Sequence, residues 1–187
     1  MTEPLPPEPG DLLIVDVIGA AGAIIGIGQM LLRDECRGKH VAICTGPVGP
    51  NGEDLIQAEP GGAAWARVTD YAGREKWWTT GHVILTPEQR STVVAAAIRH
   101  LGTPYSFADY AALAYHRATE DHQWARPTAL DRYVADTGHM MCSQLGAVCW
   151  GSAGVQLDPT RIPQAITPGD TLYRALPLLG ATLGAVA

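Results

Sequence analysis

An α+β fold, with strands first and helices after, is what the order of patterns along this sequence predicts. Three observations carry it. A leucine- and β-branched run, GDLLIV, follows a Pro-Gly break, and two short runs, KHVAICTG and DLIQAEP, flank an Asn-Gly turn. A sharply delimited helix, TPEQRSTVVAAAIRHLG, comes next, and a second helical stretch, CSQLGAVCWGSAG, comes late.

In chain order, residues 1–9 read as a flexible, proline-rich lead, and the ordered domain starts near Gly10. GDLLIVDV is the first strand. The apolar segment 12–32 approaches the length of a membrane span, but Asp16, Gln29 and several glycines interrupt it, which favours a strand, a Gly-rich turn and a short helix. KHVAICTG and DLIQAEP form a hairpin. Alternation then places His40, Ala42 and Cys44 on one face of its first strand and Leu55, Gln57 and Glu59 on one face of its second. The stretch from Gly61 to Thr86, with its Trp77-Trp78 loop, reads as one or two further strands of unassigned register. Thr86 caps the next helix, Pro87 opens it, Gln89 completes a capping box, and Val93, Val94, Ala97, Ile98 and Leu101 form its apolar side up to a stop at Gly102. Further helices are expected from about Ser106, over TALDRYVADTG, over CSQLGAVCWGSAG as far as Gly154, and from the Thr167-Pro168 start signal.

Composition narrows the function. With 187 residues, 47% of them hydrophobic, the chain can bury one sizeable core, so residues 10–187 are read as a single domain. A net charge of −6 with only two lysines leaves no basic footprint for nucleic acid or an anionic membrane. Four cysteines, Cys36, Cys44, Cys142 and Cys149, are too few and too scattered for a disulfide framework and read as thiols. The acidic start MTEPLPPEPG is the opposite of a basic signal-peptide n-region. No Sec export is expected, and the protein is expected in the cytoplasm as synthesised unless a lysis or injection system, such as a phage supplies, delivers it.

Chemistry centres on Cys142, at the start of a helix, where backbone N–H groups and the helix dipole favour a thiolate. Cys149, two turns on, reads as packing. A zinc site could be drawn from Cys36, His40, Cys44, His139 and Cys142, but no paired C-x2-C spacing supports it, so neither metal nor cofactor is expected. Four serines and no G-x-S-x-G elbow leave serine chemistry without a basis. A thiol hydrolase needs a base, usually histidine. Of six histidines, His100, His116 and His122 have surface explanations, His139 would have to fold back around the helix start, and His40 lies on a strand with small Ala42 beside it. Asn51, the single asparagine, sits in a turn, so the residue orienting His40 is Gln57 or Glu59.

The order GDLLIV, GKHVAICTG, DLIQAEPGGA, a long helix into HLGTPYSFADY, then MCSQLGAVCWGSAGVQL and ITPGDTLYRAL resembles the circularly permuted branch of the NlpC/P60 papain-like superfamily, in which the histidine strand precedes the cysteine helix. The resemblance spans Gly10 to about Leu176. It implies an antiparallel sheet packed against helices, Cys142 as nucleophile, His40 as base and Gln57 where the family often has a glutamate, while strand alternation keeps Glu59, on the same face, as the second candidate. It also implies Tyr105 as a site-lining residue and the backbone N–H of Cys142 or Ser143 as oxyanion donor. The function expected is a cysteine peptidase or amidase that hydrolyses an amide through an acyl-enzyme, with peptidoglycan stem peptides as one substrate class. A lipid-directed acyltransferase or thioesterase, walled by residues 19–32 and the tail LPLLGATLGAVA, and a catalytically silent binding module are the alternatives.

Overall fold

The computed structural model describes residues 6–17, 37–105, 140–158 and 166–175. Within them runs an α+β architecture whose strands precede its helices. Strands β1 (Leu12–Val15), β2 (His40–Cys44), β3 (Leu55–Glu59), β4 (Gly62–Ala66) and β5 (Lys76–Trp78) are followed by helices α1 (Pro87–Arg99), α2 (Cys142–Ser152) and α3 (Pro168–Ala175). A short 3-10 turn, Val68–Tyr71, links β4 to β5.

The strands form one sheet in the order β4-β3-β2-β1-β5, with every neighbouring pair antiparallel. The first strand of the chain is thus interior to the sheet, which explains its unbroken apolar sequence: Leu12, Leu13, Ile14 and Val15 are all fully buried, two on each face. On one face Leu12, Ile14, Val41, Ile43 and Ile56 pack with Val93, Ala96 and Ala97 of α1 and with Leu145, Cys149 and Trp150 of α2. On the other, Leu13, Val15, Ala42, Cys44, Leu55 and Ala66 pack around Tyr71. The expected β2–β3 hairpin is present, in the register Ala42↔Gln57 to Cys44↔Leu55.

Helix α1 starts as its sequence dictates. Thr86 Oγ1 accepts from the Gln89 N–H, and Gln89 Oε1 accepts from the Thr86 N–H. Its buried side is Val93, Ala96 and Ala97, while Ile98 is 41% exposed, so the apolar stripe is narrower than the expected one and rotated from it. Trp77 and Trp78 lie on edge strand β5 rather than in a loop. Both are half-buried, Trp77 against the helix-side core and Trp78 against the opposite cluster, which makes them covers for the two apolar layers.

Two features hold α2 against the sheet. A Cβ at Gly146 would stand 3.4 Å from Leu12 and Val41 side chains, so the glycine sets a close approach. Trp150 Nε1 donates to the Gly10 carbonyl at 2.9 Å, tying the helix's last turn to the entrance of β1. Gly154, at φ +74°, then ends the helix as its sequence position predicts. Helix α3 begins with a reciprocal cap, in which Thr167 Oγ1 accepts from the Asp170 N–H and Asp170 Oδ2 from the Thr167 N–H.

The expected Gly-rich turn and helix after Val17, the helices expected from about Ser106 and over TALDRYVADTG, and residues Cys36, His116, His122 and His139 lie outside the described residues. Among the described residues no helix is long and apolar enough to cross a membrane.

Candidate active site

The two halves of the site are set by two chain ends, the start of strand β2 and the start of helix α2. Cys142 is the first residue of α2, and the residue before it, Met141, has no side-chain acceptor with which to cap the helix. Gln144 Oε1 takes the Met141 N–H at 3.3 Å. The Ser143 N–H is left to favour negative charge on the Cys142 sulphur. A conventional N-cap would compete for these helix-terminal donors.

A second backbone donor comes from the sheet. Thr45 donates its N–H to Asp54 across the hairpin, so the alternate residues Ile43 and Val41 direct their N–H groups toward β3 as well. The ladder, however, stops at Ala42↔Gln57, and Val41 has no partner rung on β3. Its N–H instead faces the Cys142 sulphur and favours the thiolate. This is how a thiol on a helix that packs on one face of the sheet reaches a histidine whose strand parity belongs to the other.

His40 opens β2 and is half-buried. Its Nε2 lies 2.7 Å from Gln57 Oε1, which leaves Nδ1 as the nitrogen for the Cys142 thiol, the group with which the ring's charge is most strongly linked. Gln57 is held from two further directions. Its Nε2 donates to Glu59 Oε2 at 3.2 Å, and the Tyr71 hydroxyl donates to the same Oε1 that faces His40. The carboxylate can only accept, so it fixes which end of the amide faces the imidazole. The oxygen faces the ring, Nε2 of His40 must carry a hydrogen, and Nδ1 is free to exchange a proton with the sulphur.

Gln57 and Glu59 therefore do not compete for the role of orienting His40. They act in series. Gln57 touches the ring, and Glu59 touches Gln57.

The electrostatics follow from these contacts. Burial opposes charge on both members of the Cys142–His40 pair. At Cys142 it is outweighed by the His40 charge, the ring hydrogen bond and the Val41 and Ser143 N–H groups, so the thiol titrates below its ordinary range. At His40, burial is outweighed by the thiolate's charge and hydrogen bond, then by Gln57 and the more distant Glu59, so the imidazole titrates above its ordinary range. The pair favours thiolate and imidazolium. Tyr71, buried and facing the same negative groups, is pushed strongly upward and stays a protonated donor. Cys149 is the contrast within the same helix: it is fully buried in the core, and burial pushes it up to about 12. Cys44 is likewise buried and shifted upward by burial.

The other expected residues divide. Tyr105 lines a pocket of about 390 Å³ that also borders His40, Gln57, Glu59, Trp65 and Tyr71. Ser143 contributes its backbone N–H, while its hydroxyl donates to the Ile166 carbonyl at 2.7 Å and anchors α2 to the chain entering α3. His82 is exposed and His100 caps α1, where burial and Arg99 hold it below its ordinary value. Tyr71 is the site residue that sequence reasoning missed. It lies 14 residues from Gln57 on a 3-10 turn, and no local pattern marks it. Among the described residues, no group of three or more His, Cys, Asp or Glu side chains could hold a metal ion.

Compared with models of known protein families and with curated proteins, the chain matches none.

Proposed function

We propose that the protein is a cysteine hydrolase of the circularly permuted NlpC/P60 papain-like kind, cleaving an amide through an acyl-enzyme. The observation that carries the reading is an imidazole held at one nitrogen by a fixed amide oxygen, beside a helix-terminal thiol with which it shares opposed shifts in titration. His40 Nδ1 takes the Cys142 proton, and Sγ attacks the carbonyl carbon. As the tetrahedral intermediate collapses, the C–N bond breaks and His40 returns the proton to the departing amine. Water then adds to the thioester with His40 as base, releasing the acid and restoring the thiol. Once the sulphur is acylated it no longer needs the helix-terminal N–H groups as a thiolate does, and those of Cys142 and Ser143 are the donors at hand for the oxyanion. Gln57 holds the ring by geometry, and Glu59 supplies at one remove the negative charge that an amide lacks. Peptidoglycan stem peptides are the amide substrates that the family resemblance brings forward.

A second reading rests on one observation: Cys142 is only 3% exposed. On that reading the thiol is a structural element and the pocket beside His40 belongs to a binding module. The lipid-directed alternative depended on walls from residues 19–32 and 176–187, which lie outside the described residues.

The pH profile of iodoacetamide alkylation at each cysteine, read by mass spectrometry in the wild type and in His40→Ala, separates the readings. The hydrolase predicts that Cys142 reacts fastest, with an apparent pKa below the ordinary value of about 8.5, and that His40→Ala abolishes this shift. A Cys142 that is inert, or that titrates identically in both proteins, leaves the binding module.

A further inference from the structure

The pocket beside His40 carries three charged side chains, and they are not equally committed. Glu59 Oε2 takes the Gln57 amide at 3.2 Å, and Asp70 Oδ2 takes the Arg67 N–H at 2.8 Å. Arg74 is different. Its guanidinium lies over the face of Tyr71, 5.4 Å from the ring centre, and among the described residues no carboxylate stands within ion-pair distance of it. A guanidinium held over an aromatic ring spends none of its N–H donors on that contact.

The backbone under Arg74 is fixed rather than loose. Gly73, at φ +74°, closes a turn in which the Arg74 N–H reaches the Tyr71 carbonyl at 3.2 Å. Lys76 Nζ donates to the carbonyls of both Tyr71, at 2.6 Å, and Arg74, at 3.2 Å. The ring that carries the guanidinium is also the ring next to the base, since the centres of Tyr71 and His40 are 6.0 Å apart.

We propose that Arg74 is a specificity-determining residue that holds a carboxylate of the substrate in this pocket, so that the preferred acyl donor carries an anionic group near its scissile carbonyl. This rests on Cys142 and His40 forming the reactive site. A planar guanidinium whose N–H donors are uncommitted among the described residues matches a carboxylate in bidentate fashion. With Glu59 and Asp70 in the same pocket, every further negative charge adds repulsion, so a monoanion is held against less of it than a phosphate dianion, and the carboxylate is the class favoured.

Two alkylating reagents of nearly equal size test this without a known substrate. Iodoacetate and iodoacetamide both transfer a carbon to Cys142 Sγ with loss of iodide, and they differ by one negative charge. The rate ratio, iodoacetate over iodoacetamide, is expected to fall about tenfold in Arg74→Gln, the loss of roughly one charge-assisted hydrogen bond. The iodoacetamide rate itself stays within about twofold, and Arg74→Lys retains part of the preference. N-acetylglycine should protect Cys142 from iodoacetamide in the wild type and not in Arg74→Gln. An unchanged ratio in Arg74→Gln, with Cys142 still reactive to iodoacetamide, overturns the proposal and leaves the hydrolase reading standing. Protection by inorganic phosphate in place of N-acetylglycine overturns the carboxylate assignment. A Cys142 that neither reagent modifies removes the reactive site, and the two proposals fall together.

Discussion

The two ends of the β1–β2 ladder carry polar networks built to opposite ends. At one, Asp11 is fully buried just before β1, beside the exit of β2. Its Oδ2 accepts from the Glu8 N–H at 2.8 Å and from Thr80 Oγ1 at 2.7 Å, and its Oδ1 lies 2.9 Å from Arg90 of α1. Arg90 is further engaged by Glu8 at 2.7 Å and by the Pro9 carbonyl at 2.9 Å. At the other end, His40, Gln57, Glu59, Tyr71 and Cys142 are just as densely bonded, yet this network borders a pocket and contains a proton that can change owners. A closed network fixes a fold, whereas one with a transferable proton and an opening can do chemistry. Burial of charge alone therefore does not separate the two.

Breaking the closed end should cost the most stability. Arg90→Ala leaves the Asp11 carboxylate buried without its cation, and a loss of about 3–5 kcal/mol in urea unfolding is expected. The same substitution should leave the alkylation profile of Cys142 unchanged in whatever fraction remains folded. Equal damage to both would show that the ends are energetically one network.

At the open end the order of effects reverses. Gln57→Leu removes the acceptor for His40 Nε2–H and Tyr71, a stability loss of about 1–3 kcal/mol, with a larger proportional effect on the thiol. Its alkylation pKa should move back toward about 8.5. The sign follows from the two shifts. The stabilisation from Cys142, whose thiol is lowered on folding, is present above the ordinary thiol value and lost as pH falls through the folded one. The stabilisation from His40, whose imidazole is raised, is present below about 6.5 and lost as pH rises through its folded value. The ionised pair thus occupies a window between the two folded values, and Gln57→Leu should narrow it from both sides.

Smaller effects sharpen the picture. Glu59→Gln keeps the side chain's shape but removes its charge, and the upper edge of that window should fall while the fold is retained, as thermal unfolding would verify. Tyr71→Phe removes one of the two donors to Gln57 Oε1, and about 1 kcal/mol of stability with a modest narrowing of the window is expected. If Tyr71→Phe changes stability alone and leaves the alkylation profile intact, Tyr71 belongs to the core on the far side of the sheet and not to the site. Smallest of all, Glu53→Gln keeps an oxygen for the Asn51 N–H of the β2–β3 turn but removes the charge 3.8 Å from exposed Arg67, and a change within about 1 kcal/mol is expected in the same urea assay.

What could be read from the sequence was what neighbours along the chain decide. The capping box of Thr86 and Gln89, the turn between β2 and β3 and the start signals at Thr167-Pro168 are contained within a few residues each, and all stand in the structure. His40 and Gln57 could be placed together because one hairpin joins them. The choice between Gln57 and Glu59 could not be made, because alternation puts both on one face and only side-chain positions show that the amide lies between ring and carboxylate. Tyr71 and the Asp11–Arg90 pair were out of reach for the same reason, since their partners are brought in by the packing of elements far apart in sequence. The tryptophan pair misled because an edge strand of three residues has too little sequence to show its period.

The unformed rung beside Val41 has a consequence for how such a site can be lost. A hairpin gains by zipping, and the rung that would pair Val41 with Ala58 is the next one in register. Substitutions that complete the pairing there would improve the sheet and withdraw the Val41 N–H from the Cys142 sulphur in the same motion, with no change to any residue that bears chemistry. Stabilised variants selected for fold alone should therefore accumulate changes at this seam, and the first property to disappear from them would be the lowered titration of Cys142.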